Sequence, residues 1–378
     1  MSILPADVWT DTGTDSDVGF RIPRVPLSLF LSVTSRCNQS CLHCAVYADH
    51  FTYGPDLTTD QWLAFIEHMA DLKIFRVKIS GGEPFVREDI FDILDALYEK
   101  PIRMSINTNA TLIDTERARK IGRYSDKLDD VMVSLDGATA ASHDALRGPG
   151  AFEAALEGIE CLIDHVNNVN AYATVTRFNY RELEEITRLA ADLELSSIKF
   201  NELLLEGRGG EMKDRLILGE EEKRQVMERL FELKSRFPFV CGTYLEIRNQ
   251  FEMIEEVGPD TDMNGSSGEE PCLTGCGALL DECAVRPDGG VTPCDRLPEL
   301  VAGNIIETPL DVIWRDSELF VDFRRRFTTP LKSLFTCTDC AYTDFCTGGC
   351  AASAYNAYGT TLAGDPACCY RRAIAKGK

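Results

Sequence analysis

The stretch VTSRCNQSCLHCAVY, residues 33–47, places Cys37, Cys41 and Cys44 three and two residues apart, with no fourth thiol or histidine positioned to close a tetrahedral site. A structural zinc site is closed by four ligands, and an ordinary iron–sulfur cluster is likewise held by four protein groups. Three protein ligands leave one metal corner open, and an open corner is where a substrate or cosubstrate binds. The apolar run PLSLFLSVTS (26–35) reads as a buried strand, so the cysteines stand in the loop at its C-terminal end.

Working outward, strand and helix patterns alternate. TTDQWLAFIEHMADL (58–72) has apolar residues at helical spacing behind a Thr cap, and FRVKIS (75–80) follows as a strand. Helix REDIFDILDALYEK (87–100), strand IRMSINTN (102–109), a helix near 113–123 and strand DVMVSLD (130–136) continue the alternation. Helix 151–166, strand 170–176, helix 180–193 and strand 196–204 complete it, and a last helix is expected near 219–236. Six strands joined through helices predict a parallel sheet of the partial (β/α)6 barrel kind, an α/β fold with its site at the C-terminal strand ends. The segments SGGEP (80–84), NTNA (107–110) and SLDG (134–137) fall at those ends with the cysteines. The Gly/Ser/acidic segment 258–271 reads as a linker, which divides the chain into a leader (1–25), a barrel (26–257), the linker and a cysteine-rich domain (272–378).

Composition is that of an ordinary soluble globular protein able to bury a substantial core: 378 residues, 44% hydrophobic and 26% charged. No apolar run reaches the roughly 20 residues of a membrane-spanning helix, and the start lacks a basic segment followed by an apolar one, so a cytoplasmic protein with no membrane association is expected. Fifteen cysteines in a reducing compartment favour metal or cluster ligation over disulfides. A formal charge of −22 repels a phosphate backbone, which argues against nucleic acid as a partner.

With this context, Cys37, Cys41 and Cys44 resemble the C-x3-C-x-aromatic-C signature of the radical S-adenosylmethionine (SAM) enzymes, His43 taking the aromatic place. The resemblance implies a [4Fe–4S] cluster on the three thiolates whose fourth iron binds SAM, and reductive cleavage of SAM to a 5′-deoxyadenosyl radical. It assigns Gly81, Gly82, Glu83 and Pro84 to the SAM amino group. In general terms glycines let a backbone approach a ligand, and a carboxylate suits an amine. The alternative for this motif is a plain strand-to-helix turn with Pro84 in the first helical turn. The resemblance places Asn107, Ser134 and Asp136 at the ribose or methionine moiety and Arg147, in HDALRG, at the SAM carboxylate. Capping and turn roles explain these four residue types equally well.

The second cysteine group runs Cys276, Cys283, Cys294, then Cys337, Cys340, Cys346 and Cys350, with Cys368 and Cys369 beyond. The order Cys276, Gly289, Cys294 and then C-x2-C-x5-C-x3-C resembles the SPASM extension of radical SAM enzymes. The resemblance implies two auxiliary [4Fe–4S] clusters, one on Cys276, Cys283, Cys294 and Cys350, the other on Cys337, Cys340, Cys346 and Cys368. Cys272 and Cys369 are surplus to eight ligands. Spacing alone also suits a pair of zinc ribbons. Cys161 and Cys241 read as small buried hydrophobes.

The expected activity is radical oxidation or crosslinking of a peptide, a protein side chain or a peptide-derived small molecule. Asp295, directly after Cys294, matches the place of the catalytic aspartate in the family's anaerobic sulfatase maturases and is the candidate base; Glu202 is the next. Oxidative trimming of a tetrapyrrole side chain is the alternative, because RVPLSLFLSVTSRCN and CLHC also look like haem-pathway members. A non-catalytic zinc or iron–sulfur regulator or electron carrier is the third. Expected partners are a flavodoxin or ferredoxin as reductant and, since no separate peptide-recognition domain precedes Cys37, a small substrate or a separate recognition protein.

Overall fold

The structure, a computed structural model, describes residues 22–45, 53–242, 272–273, 276–340, 343 and 346–366. Most of the expected leader, the linker at 258–271, Cys368 and Cys369 lie outside the described residues. The described residues fall into two compact units. The first begins within strand β1 and runs to residue 242, with Arg286–Asp288 added; the second takes the remainder.

In the first unit seven strands lie side by side in sequence order: β1 (Ser28–Ser32), β2 (Arg76–Ser80), β3 (Arg103–Thr108), β4 (Leu128–Ser134), β5 (Val169–Val175), β6 (Ser197–Glu202) and β7 (Val240–Cys241). From β2 to β7 every neighbouring pair is parallel. Helices α1 (Thr59–Asp71), α2 (Ile90–Glu99), α3 (Thr115–Gly122), α4 (Ala140–Arg147), α5 (Ala151–Ile163) and α6 (Leu183–Asp192) lie in the crossovers, and the helix Glu220–Arg236 precedes β7.

The elements form where periodicity and capping agree. At α1 the Thr58 hydroxyl accepts from the Gln61 amide at 3.3 Å while the Thr58 amide donates to the Gln61 side chain at 2.9 Å, a reciprocal cap worth about 1 kcal/mol. Trp62, Phe65, Ile66 and Met69 then bury one stripe of that helix. In the sheet, Val77 and Ile79, Met104 and Ile106, and Val131 and Val133 alternate inward, each fully buried. Burying each such side chain contributes about 1.5–3 kcal/mol. The opposite sheet face carries Ser28, Ser32, Lys78, Asn107 and Ser134, only partly covered, which leaves it free for polar chemistry.

Two elements depart from the expected pattern. Apart from alanines, helix α4 has a single apolar residue, Leu146, and its buried face is Ser142, His143, Leu146 and Arg147, so no apolar stripe announces it. The seventh strand has two residues, too few to show alternation. Cys161 and Cys241 are half-buried, not enclosed: the Cys161 thiol meets Thr115 at 3.7 Å and the Cys241 thiol donates to the Ile198 carbonyl at 3.5 Å. No helix among the described residues is long and apolar enough to cross a membrane.

The second unit contains strands β8 (Glu282–Val285), β9 (Gly290–Thr292) and β10 (Gly303–Asn304), antiparallel in that order. The helices Leu310–Asp316, Glu318–Arg324 and Ala351–Tyr358 follow.

Candidate active site

The cysteine loop is held by backbone pairing that continues past the ends of β1 and β2. Val33 donates to the Ser80 carbonyl at 2.9 Å, Gly82 to Thr34 at 2.8 Å and Glu83 to Arg36 at 2.9 Å. A Cβ added at Gly81, whose φ is +139°, would stand 2.5 Å from the Thr34 carbonyl oxygen, and one at Gly82 would stand 2.1 Å from that of Arg36. The space these glycines open is therefore filled by the cysteine loop's own backbone. Both still line the cleft above it, with Thr34, Cys37, Cys41 and Cys44. Asp56 anchors the loop from the other side, accepting from the Thr34 hydroxyl at 2.5 Å and from the Ser35 amide and hydroxyl at 3.0 and 2.8 Å.

Glu83 is 1% exposed and accepts from Thr108 Oγ1 at 2.7 Å, the Asn109 amide at 2.7 Å and the Phe85 amide at 3.2 Å. Burial pushes its carboxyl up and these bonds pull it back. The carboxylate thus ties the end of β3 to the GGEP turn, and Pro84 opens a short 3-10 helix, Pro84–Val86, capped by Glu83 itself. Within NTNA, Asn109 reaches the cysteine loop: its Nδ2 donates to Asn38 Oδ1 at 2.8 Å and lies 4.0 Å from Cys37 Sγ. Sequence reasoning singled out Asn107 in this segment and missed Asn109, which alternation puts on the same face, just past the end of β3. Asn107 and Ser134 are half-buried at the ends of β3 and β4.

Asp136, His43 and Arg147 come together beside Cys41. Asp136 is fully buried; its Oδ2 lies 2.5 Å from Arg147 Nε and 3.2 Å from His43 Nε2, and its Oδ1 accepts from the Thr174 amide at 2.7 Å. Arg147 Nη1 lies 3.9 Å from Cys41 Sγ and Nη2 3.4 Å from His43 Nε2. Burial works against the Asp136 charge, but the Arg147 guanidinium holds it below the usual carboxylate range. Burial also lowers His43 to about 4, against the pull of Asp136, so the ring is neutral. Removing one member of such a buried pair strands the other charge at a cost of about 3–5 kcal/mol. Arg147, expected at a ligand carboxylate, is here committed to Asp136 and to the thiol.

Among the thiols, Cys37 is exposed, Cys41 buried and Cys44 half-buried. Burial pushes Cys37 up and takes Cys41 to about 11, and the charge of Cys44 adds to both. Three thiolates cannot share this loop unless cationic metal offsets them, which is the donor set an iron–sulfur cluster requires.

In the second unit Cys276 and Cys294 are both raised from the usual thiol range, and Cys350 bears on each of them. Burial acts first on Cys276 and Cys294, which then feel Cys350 and, for Cys294, Asp295 and Cys276. Cys283 is different: it is 0% exposed on β8, burial raises it, and its charged neighbours are Arg324 and Glu282, with no thiol among them. Cys276, Cys294 and Cys350 are thus linked electrostatically, and Cys283 is not linked to them. Cys337 and Cys346 pack on Leu273, Leu331 and Leu334, and Cys340 follows in the same turn, its amide donating to the Cys337 carbonyl at 3.0 Å. Half-buried Cys272 bridges Pro330. Asp295 is half-buried beside Cys294, and Glu202, at the end of β6, pairs with Lys223 at 3.5 Å.

Comparison with known proteins agrees with this architecture. Residues 31–190 match the model of the radical SAM superfamily, and residues 276–341 that of the SPASM iron–sulfur cluster-binding domain. The chain is 32% identical over 345 residues to the AdoMet-dependent heme synthase of Nitratidesulfovibrio vulgaris, covering 90% of this chain and 91% of that one. It is 30% identical to the mycofactocin maturase MftC of Mycolicibacterium smegmatis, covering 91% and 82%. Streptococcus suis SuiB, solved with its precursor peptide SuiA, superposes with a TM-score of 0.72 at 18% identity over 92% of this chain and 76% of that one, a likeness of fold. The chain belongs to the radical SAM superfamily, in its SPASM-bearing subgroup. It is an enzyme whose cofactors are [4Fe–4S] iron–sulfur clusters and S-adenosylmethionine, on a parallel α/β partial barrel followed by the cysteine-rich domain.

Proposed function

We propose that this enzyme oxidises or crosslinks a peptide, a protein side chain or a peptide-derived small molecule, with the abstracted hydrogen ending on 5′-deoxyadenosine. Bound at Cys37, Cys41 and Cys44, the cluster supplies the electron that cleaves SAM. Gly81 and Gly82 hold the thiols' loop in place, Glu83 fixes the rim of the cleft, and the half-buried Asn107 and Ser134 present polar groups to SAM. Asp295 would take the proton that the substrate radical releases, and an auxiliary cluster held by the second unit's thiols would supply the acceptor for the accompanying electron. The observation that supports this reading is the match of residues 276–341 to the SPASM iron–sulfur cluster-binding domain, with Asp295 directly after Cys294 within it. A flavodoxin or ferredoxin in the cytoplasm is the expected electron donor.

Cys272 takes the fourth place beside Cys276, Cys294 and Cys350, since it stands four residues before Cys276 along the chain and is half-buried, whereas Cys283 is fully enclosed on β8. Cys272→Ala is expected to lower iron by about four per chain, one cubane. Cys283→Ala is expected to retain that iron and to lose only packing stability, about 1 kcal/mol for a small buried side chain. Iron analysis of the two reconstituted variants checks this; loss of iron in the Cys283 variant alone would restore Cys283 as the ligand.

A second reading, trimming of a tetrapyrrole side chain, is favoured by the AdoMet-dependent heme synthases, which match at 32% identity over nearly their whole length. The two separate in one assay. Reconstituted protein is given SAM, a one-electron reductant and either a deuterated peptide or a deuterated carboxylate-bearing iron porphyrin. Deuterium in 5′-deoxyadenosine from the peptide, with product two electrons more oxidised, is the expected result. Transfer from the porphyrin alone selects the second reading, and transfer from neither overturns both.

A further inference from the structure

Arg326, in the 3-10 turn Arg325–Thr328, is 0% exposed. Its Nη1 donates to the carbonyls of Thr361 and Ala363, and its Nη2 to that of Gly349 at 3.2 Å. Its Nε is buried without a hydrogen-bond partner, and among the described residues the guanidinium makes no ion pair with a carboxylate. Burial lowers its pKa, and the opposite charges that offset this are the thiols of Cys276 and Cys350, ahead of Asp365. Asp365 is itself engaged, accepting from the Cys350 amide at 3.0 Å. A second guanidinium lies on the same thiol: Arg296 Nη1 is 2.9 Å from Cys350 Sγ, while its Nη2 donates to Ser353 at 3.0 Å.

A buried cation without a carboxylate costs several kcal/mol unless another anion compensates it. Three carbonyl dipoles do part of that; one of them belongs to Gly349, the residue before Cys350, so the guanidinium with its unpartnered Nε stands at the turn that carries this thiol, and Arg296 lies on the thiol itself. A cubane held by thiolates is anionic, and its reduced form carries one more negative charge than its oxidised form. A fixed cation therefore stabilises the reduced form more, and in a water-poor site the effect is large.

We propose that Arg326, with Arg296, is a fixed cationic clamp on the auxiliary cluster at Cys276, Cys294 and Cys350, raising its reduction potential so that it accepts the electron lost by the substrate radical. This rests on the cluster assignment above. Arg326 is a positioning residue in this sense: it acts on substrate only through the cluster. Acids nearby work in the opposite direction, Asp295 on Cys294 and Glu282 on Cys276, so the two guanidiniums set the balance.

The test uses the full chain carrying Cys37→Ala, Cys41→Ala and Cys44→Ala, so that only auxiliary signals remain, and follows them by EPR-monitored potentiometric titration. Arg326→Gln keeps N–H donors for the carbonyls and removes the charge; Arg326→Lys keeps the charge. The Gln variant is expected to disfavour one-electron reduction of the Cys276-dependent signal at least tenfold, about 59 mV lower for a one-electron couple. The Lys variant is expected to stay within about threefold of the parent, since the charge remains near the cluster. An unchanged potential in the Gln variant, or equal shifts in Gln and Lys, would overturn the proposal. If Arg326→Gln does not load iron, Arg296→Gln must show the downward shift, and its absence there is equally fatal. A signal that survives Cys276→Ala condemns the cluster assignment instead.

Discussion

The variant carrying Cys37→Ala, Cys41→Ala and Cys44→Ala is expected to form no 5′-deoxyadenosine at all. The three thiols are the loop's anionic donors, because the carboxylates beside it are already engaged. Asp56 serves Thr34 and Ser35, and Asp136 serves Arg147 and His43. Nothing remains to hold the iron that delivers the electron, so SAM stays intact whatever else it touches. Iron should fall by about four per chain, the content of one cubane, with the second unit's iron retained because its thiols belong to a different compact unit. Chromatographic assay of 5′-deoxyadenosine with iron analysis checks both halves. Continued SAM cleavage by the triple variant would remove these cysteines from the site.

Asp295→Asn should leave SAM cleavage and hydrogen abstraction in place while lowering oxidised product by roughly 10²–10⁴-fold, the usual cost of losing a general base. The substitution keeps the shape beside Cys294 and removes the basicity. Deprotonating the substrate radical makes it a stronger reductant, so proton loss to Asp295 and electron loss to the neighbouring cluster favour each other. The readout is product formed per 5′-deoxyadenosine, with deuterated substrate confirming abstraction. An unchanged ratio would make Asp295 a loop residue and move the search for a base to Glu202.

What could be read without coordinates follows from how each element is stabilised. Strands β1 to β6 and helices α1, α2, α5 and α6 carry apolar patterns with a definite period, and they stand where that period places them. Helix α4 escaped because it buries polar side chains that serve the site, Ser142, His143 and Arg147, in place of an apolar stripe. The three N-terminal cysteines were legible because a local spacing specifies them. The setting of Cys283 was not legible, because order along the chain does not say which way a thiol faces, and strand β8 turns this one fully inward. The glycines of GGEP were read for their freedom to approach something; only the structure shows that the Thr34 and Arg36 carbonyls occupy that space. Arg326 gave no signal, since its three carbonyl partners are set by tertiary structure alone.

Helix α4 is joined to the cysteine loop by more than the Arg147 contact: the Leu42 amide donates to the Leu146 carbonyl at 2.8 Å. A partial opening that lifts α4 from the sheet would break that bond, separate Arg147 from Cys41 and expose Asp136 to water in one event. Retention of iron and protection of the α4 amides from hydrogen exchange therefore belong to a single cooperative unit, so that metal content serves as a gauge of local folding around Cys41.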